Sequence, residues 1–412
     1  MARMNSLALC GLVFLLAVGC GKSEPLPAPH SEGEGTVGPQ TGESSTSKWP
    51  PATRAEAEEF ASRLELAFAA NDDAELRDLV DWESLVERAT EGLGTEQKRK
   101  QMQTGLLNSL RGNNGFFANA RRLGGDDVSF QFLRVTEGED RLRVWFRLSA
   151  DFGINYHDFE VVNQEGRIRA IDIHVLMTGE SIAQTCRRSL LPLARELSKS
   201  WLEKLTSAES SYIQHYGTIE QMVSAMQRGN PQESLNAYQR LPESLKNDKN
   251  VLSLRYQAAS QLEDYDEVMA TAVAMQQAYP GDPCLDLVMI DTYFLRGEYE
   301  KALGCFDRIE QVVGTDPILA GMRGSVLIGA QRFDEAKILV EQGIEVAPDL
   351  IDNYWVMVTL GLTTKDHTLA YEYLNRIGSN FEVSWNDLRE QPEYAEFVVS
   401  PEGKQWLSEH GF

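Results

Sequence analysis

Cysteine is scarce in this sequence and scattered where it occurs, at Cys10, Cys20, Cys186, Cys284 and Cys305. Such spacing makes neither a disulfide framework nor a metal-ligand set. Cys186, Cys284 and Cys305 therefore read as small buried hydrophobes. Beyond residue 20 no apolar run approaches the ~18 residues that a membrane-crossing helix needs. A nucleophile elbow, a phosphate-binding glycine loop, HExxH and paired metal ligands are all missing, so neither a cofactor nor a metal is expected. Positive charge is short as well: 39 Lys and Arg face 62 Asp and Glu, leaving −23. Polyanions are repelled by such a surface, which argues against nucleic acid as a partner. With 42% hydrophobic and 25% charged residues over 412 positions, the chain reads as a soluble globular protein of two or three domains.

The N-terminus has its own logic. Arg3 precedes an apolar stretch over 7–18 that is too short for a permanent span and ends in LAVGC at 16–20. A small residue directly before a cysteine in this setting resembles the bacterial lipoprotein lipobox. The resemblance implies a signal peptide over 1–19 and acylation of Cys20, so that the membrane is met through an N-terminal lipid only. Gly21 stands where Asp would favour inner-membrane retention. The expected location is thus the exported cell envelope, at the outer membrane facing the periplasm. Residues 20–52 are rich in Gly, Pro, Ser and Glu and poor in aliphatics, the composition of a tether that does not order itself.

From residue 53 the pattern changes. Thr53 and Glu56 have capping-box spacing, and Phe60, Leu64 and Phe68 follow at helical period. Two further helices are expected, one through Leu76, Leu79, Trp82 and Leu85, and one over about 96–110. At Val128 the period becomes two. Val128, Phe130 and Phe132 make one strand; Leu142, Val144, Phe146 and Leu148, alternating with Arg141, Arg143 and Arg147, make a half-buried one. His157, Phe159 and Val161, then Ile171, Ile173 and Val175, supply two more. This α+β order over 53–178 resembles the nuclear transport factor two-like (cystatin-like cone) superfamily. Relatives there move protons in the cone mouth, which implies His157, Asp172 and His174 as candidates for small-ligand binding or proton transfer. By simple alternation Asp172 and His174 share a face with Ile168 and Ala170. Residues 179–214, interrupted by Pro192, read as a connecting helix.

The last half of the chain is periodic. Ser234, Val268, Ala302, Ala336 and Ala370 recur 34 residues apart without slippage. Tyr265, Tyr299 and Phe333 stand three positions upstream of the middle three. This pattern resembles the tetratricopeptide repeat family over 215–381, five helical hairpins in which a small residue lets the paired helices cross closely. Residues 382–412, with Trp385 and Trp406, read as a capping segment. The fold class expected is multidomain: an α+β cone-like domain followed by an all-α helical repeat solenoid. In the repeat family the first helices line a concave groove, which implies Gln257, Asp291, Phe294, Ser325, Ile328, Trp355 and Thr359 as partner-facing. The Lys and Asn that clamp a peptide carboxylate in some family members are lacking, so an apolar or amphipathic protein segment is the expected ligand. The reading is a lipid-anchored, non-enzymatic interaction scaffold, with the cone-domain ligand site as its alternative.

Overall fold

The computed structural model describes residues 49–112, 115–125, 128–150, 153–192 and 206–412. The signal peptide, Cys20, nearly all of the tether and residues 193–205 of the connector lie outside the described residues.

Helix α1, Arg54–Ala69, starts at a complete capping box. The Thr53 hydroxyl accepts from the Glu56 amide, and the Glu56 carboxylate accepts from the Thr53 amide at 2.7 Å. The stretch read as one second helix is two, α2 (Asp73–Asp78) and α3 (Trp82–Thr90), because Asp81 caps a new start by accepting from the Ser84 amide. After α4 (Glu96–Arg111) comes a further helix, α5 (Phe116–Gly124), that the sequence reading passed over. Five antiparallel strands follow in meander order: β1 (Ser129–Glu137), β2 (Leu142–Ala150), β3 (Gly153–Gln164), β4 (Arg167–Val175) and the short β5 (Glu180–Ser181). Glu165 and Gly166 both have positive φ, the two-residue hairpin geometry that matches strand twist.

One face of this sheet closes on α1, α3 and α5 around a ring-filled core. Phe60, Phe117 and Phe146 all meet Phe159 with centroids 5.1–6.4 Å apart, and Phe68 meets Phe130 at 4.9 Å. Phe132 is only half-buried and leans on Phe146.

A ladder irregularity sits in β4. Glu160 pairs with Asp172 but Val161 pairs with Ala170, so Ile171 is an inserted residue. The insertion reverses the phase of the strand. Ile168 and Ala170 join the aromatic core, whereas Asp172 and His174 turn to the other face. The expectation that all four share a face is therefore corrected.

Helix α6 (Ile182–Leu190) leads out of the sheet. Past the connector, five antiparallel hairpins stack in sequence order. Their helices are Ser207–Gln227 with Pro231–Gln239, Lys249–Gln261 with Tyr265–Ala278, and Cys284–Leu295 with Tyr299–Val313. Pro317–Gly329 with Phe333–Val346 and Ile351–Thr364 with His367–Asn380 complete them. The steric reason for the small positions is visible directly. A Cβ on Gly361 would lie 2.7 Å from the Ala370 amide nitrogen, so at that crossing two backbones touch. Tyr299 plugs the gap towards the next hairpin, for a Cβ on Gly329 would meet its ring at 2.8 Å. At the C-terminal end Trp385 packs edge-on to Trp355 (6.0 Å) and to the fully buried Trp406 (5.1 Å) of the last helix, Pro401–Glu409.

Candidate functional site

The outer face of the sheet is where the two regions meet. Trp145, Ile154, Tyr156 and Leu176 belong to one continuous apolar cluster with the hairpins. The strand expected to be half-buried is consequently covered on both faces, and Arg147 is only 2% exposed. Its guanidinium is paired with Asp316 at the start of the fourth hairpin, and the Tyr156 hydroxyl donates to the other oxygen of the same carboxylate at 2.9 Å. Asp316 also caps its own helix by accepting from the Ile318 amide at 3.2 Å. Burial beside that carboxylate drives the Tyr156 phenol well above its ordinary range. Arg134 donates to the Gln311 carbonyl (2.8 Å) and to that of Val312, at the end of the third hairpin.

Asp316 is one member of a series. Asp248, Asp282 and Asp316 occupy one repeat position, 34 residues apart, in successive inter-hairpin turns. Asp248 caps its helix and receives Arg188 of α6 at 3.0 Å, and Asp282 pairs with Lys249. The small residues and the aromatics of the period mark the hairpins in the sequence, whereas these aspartates do not enter that pattern. Their shared spacing was the available signal, as was Trp145 within a row of arginines.

Beside this junction the outer face opens into a cleft of about 850 Å³, bounded by the β1–β2 turn, by His174 and Asp158, and by Pro283 and Val312 of the array. Behind it charges alternate. Arg88 donates to Glu160 and Asp172, each at 3.1 Å, Arg141 pairs with Glu160, and Arg143 with Asp158. Asp172 also accepts from the backbone amides of Ile173 (2.9 Å) and Ala183 (3.2 Å), which makes it a strut between β4 and α6. Burial pushes the Asp158 carboxyl up against the opposing pull of Arg143. Burial likewise lowers the His174 imidazole, with Asp172 and Asp158 working in the opposite direction.

The three cone-mouth candidates do not converge. His157 lies across the sheet from the other two, in the aromatic core, 5.2 Å from the Phe130 ring and 5.6 Å from Phe116. Both its ring nitrogens are without partners, and burial lowers its pKa to about 3. Asp172 and His174 do share a face, the one towards the array.

The positions implied as groove-lining range from buried to exposed. Ile328 is buried, Trp355 lies against Trp385, and Phe294 packs on Tyr299 at 5.9 Å. Ser325 turns its hydroxyl back to the Gly321 carbonyl at 3.2 Å. Gln257 and Asp291 are half-buried, as are Phe294 and Trp355, and Thr359 is exposed. Burial raises the Asp291 carboxyl to about 7.

Among the described residues no helix is long and apolar enough to cross a membrane, and no group of three or more His, Cys, Asp or Glu is placed to hold a metal. No family model matches the chain, and no curated protein matches it. Among solved structures, one described as "MamA RS-1 ArsTM double mutant" aligns over 40% of this chain and 93% of its own, at 16% identity and a TM-score of 0.36. By its own elements the fold is a five-stranded sheet domain joined to a helical-repeat region.

Proposed function

We propose that this chain is a lipid-anchored protein of the bacterial cell envelope whose array, of tetratricopeptide type, holds a protein partner near the outer membrane. The observation that carries the reading is the register of the array. Five hairpins keep one 34-residue phase while each contributes a different set of side chains to the first-helix face. The LAVGC motif and the low-complexity segment after it support the anchor and its tether. On the first-helix face Thr359 is exposed, while Gln257, Asp291, Phe294 and Trp355 are half-buried. That mix of half-buried apolar and polar side chains suits an amphipathic partner segment.

Photo-crosslinking side chains at Gln257 and Asp291, with exposed Gln342 on a second helix as control, test the array in intact cells. A discrete adduct from the first two positions and none from the third is expected. Equal labelling from all three, or none from any, removes the scaffold reading. Separately, Cys20→Ala is expected to release the protein from the membrane fraction, and unchanged retention removes the anchor.

A further inference from the structure

The cleft on the outer face of the sheet takes no part in the scaffold reading, yet its lining is chemically uneven. Its volume of about 850 Å³ falls within the ~300–1,000 Å³ of small-molecule sites, and such sites favour the junction of two regions. Two arginines, Arg134 and Arg143, stand there against four carboxylates, those of Glu137, Glu139, Asp158 and Asp282. Both cations are engaged, Arg134 by the carbonyls of Gln311 and Val312 and Arg143 by Asp158. Asp282 is paired with Lys249. What is left over is acidic: Glu137 and Glu139 on the exposed turn, and one buried oxygen of a lining residue.

That oxygen is Oδ1 of Asp158, a residue 2% exposed, and it has no hydrogen-bond partner. A buried acceptor without a donor is costly, so the position calls for one. Directly across the ladder stands His174, half-buried and without a hydrogen bond among the described residues. Its burial favours the neutral ring, which offers one unprotonated nitrogen as a second acceptor. Trp145, Val175, Leu176 and Pro283 give the same cleft an apolar wall. The pieces make a pocket with a hydrophobic side, two acceptor-bearing residues, Asp158 and His174, in its lining and acidic side chains on the adjoining turn. We propose that this cleft binds a small molecule carrying a protonated amine, with the ammonium donating to Asp158 Oδ1 and to His174. An anionic ligand is disfavoured, because both guanidinium groups already serve protein oxygens.

Calorimetric titration of the full chain with putrescine, and with inorganic phosphate as the anionic counter-probe, tests the assignment. Saturable one-to-one binding of putrescine and none of phosphate is expected. Asp158→Asn is expected to weaken binding by about tenfold, the equivalent of one lost charge-assisted hydrogen bond of ~1.4 kcal/mol. Its circular dichroism should superimpose on the parent's. If that variant fails to fold, the exposed double variant Glu137→Gln/Glu139→Gln carries the test, with an expected loss of about threefold from the weaker field. Absence of saturable putrescine binding, phosphate binding in its place, or an affinity unmoved by these variants overturns the proposal.

Discussion

The sheet domain and the helical array bury their side chains by different means. In the first, rings from segments as far apart as Phe60 and Phe159 meet in one core, so every element depends on the others. In the second, the two helices of a hairpin cross at residues without bulk, Ala302, Ala336 and Ala370, all fully buried, and each hairpin packs on the next in sequence. A defect in the first should therefore be felt throughout the domain, and one in the second should stay within a hairpin or two. At the seam the two styles meet in a buried ion pair, where neither rule covers the energetics and desolvation decides.

That seam is the place to break the comparison most severely. Asp316→Ala leaves the Tyr156 hydroxyl without its acceptor and the buried Arg147 charge without its carboxylate, with only the neutral Gln131 and Ser149 still accepting from it. A loss of about 3–5 kcal/mol is expected, and denaturant unfolding should separate into two transitions where the parent shows one. Retention of a single transition would mean that the apolar contacts alone couple the regions. A smaller and more local effect follows from Gly361→Val, which forces a side chain between backbones that touch. Overpacking of this kind costs about 1–3 kcal/mol, and hydrogen exchange should rise in the last two hairpins while the sheet stays protected.

The aromatic core supplies a third test through His157. Its folded pKa of about 3 lies below the ordinary 6.5, so the unfolded chain binds the extra proton first. Stability from this group is complete above about pH 6.5 and declines as pH falls towards 3, by about 1.4 kcal/mol per pH unit. His157→Phe should flatten that acid limb of the stability curve. An unchanged slope would show that His157 is solvated. The least effect is expected at Glu335, whose exposed pair with Arg332 should vanish in Glu335→Ala with no measurable shift of the unfolding midpoint.

How far each region could be read in advance follows from the same contrast. The hairpins were legible because a steric requirement repeated at fixed spacing announces itself in one dimension. The sheet domain was legible as elements but not as surfaces. Alternation placed Asp172 with Ala170, and one inserted residue, Ile171, undid it; nothing in that strand's composition marks the bulge. Helix α5 escaped because the glycines and asparagines before it read as an ending, although Phe116 and Phe117 go on to fill the core. The covered outer face was half-announced. Trp145 among arginines is out of place on a solvated strand, but only the array explains it. Of the site candidates, the pairing of Asp172 with His174 was visible from period two, whereas their partner Asp158 depends on strand register, which the sequence alone does not fix.

The aspartates at 248, 282 and 316 have a consequence of their own. A periodic rod laid against a non-periodic body has several near-equivalent seats, one hairpin apart. Two arginines on the body, Arg188 and Arg147, read the rod at points two repeats apart. Slid forward by one hairpin, Arg147 would meet Leu350 where it needs a carboxylate; slid back, Arg188 would meet Gln214. Only one seat satisfies both, so the pair works as a vernier, and the repeat's own regularity supplies the scale on which the molecule measures its alignment.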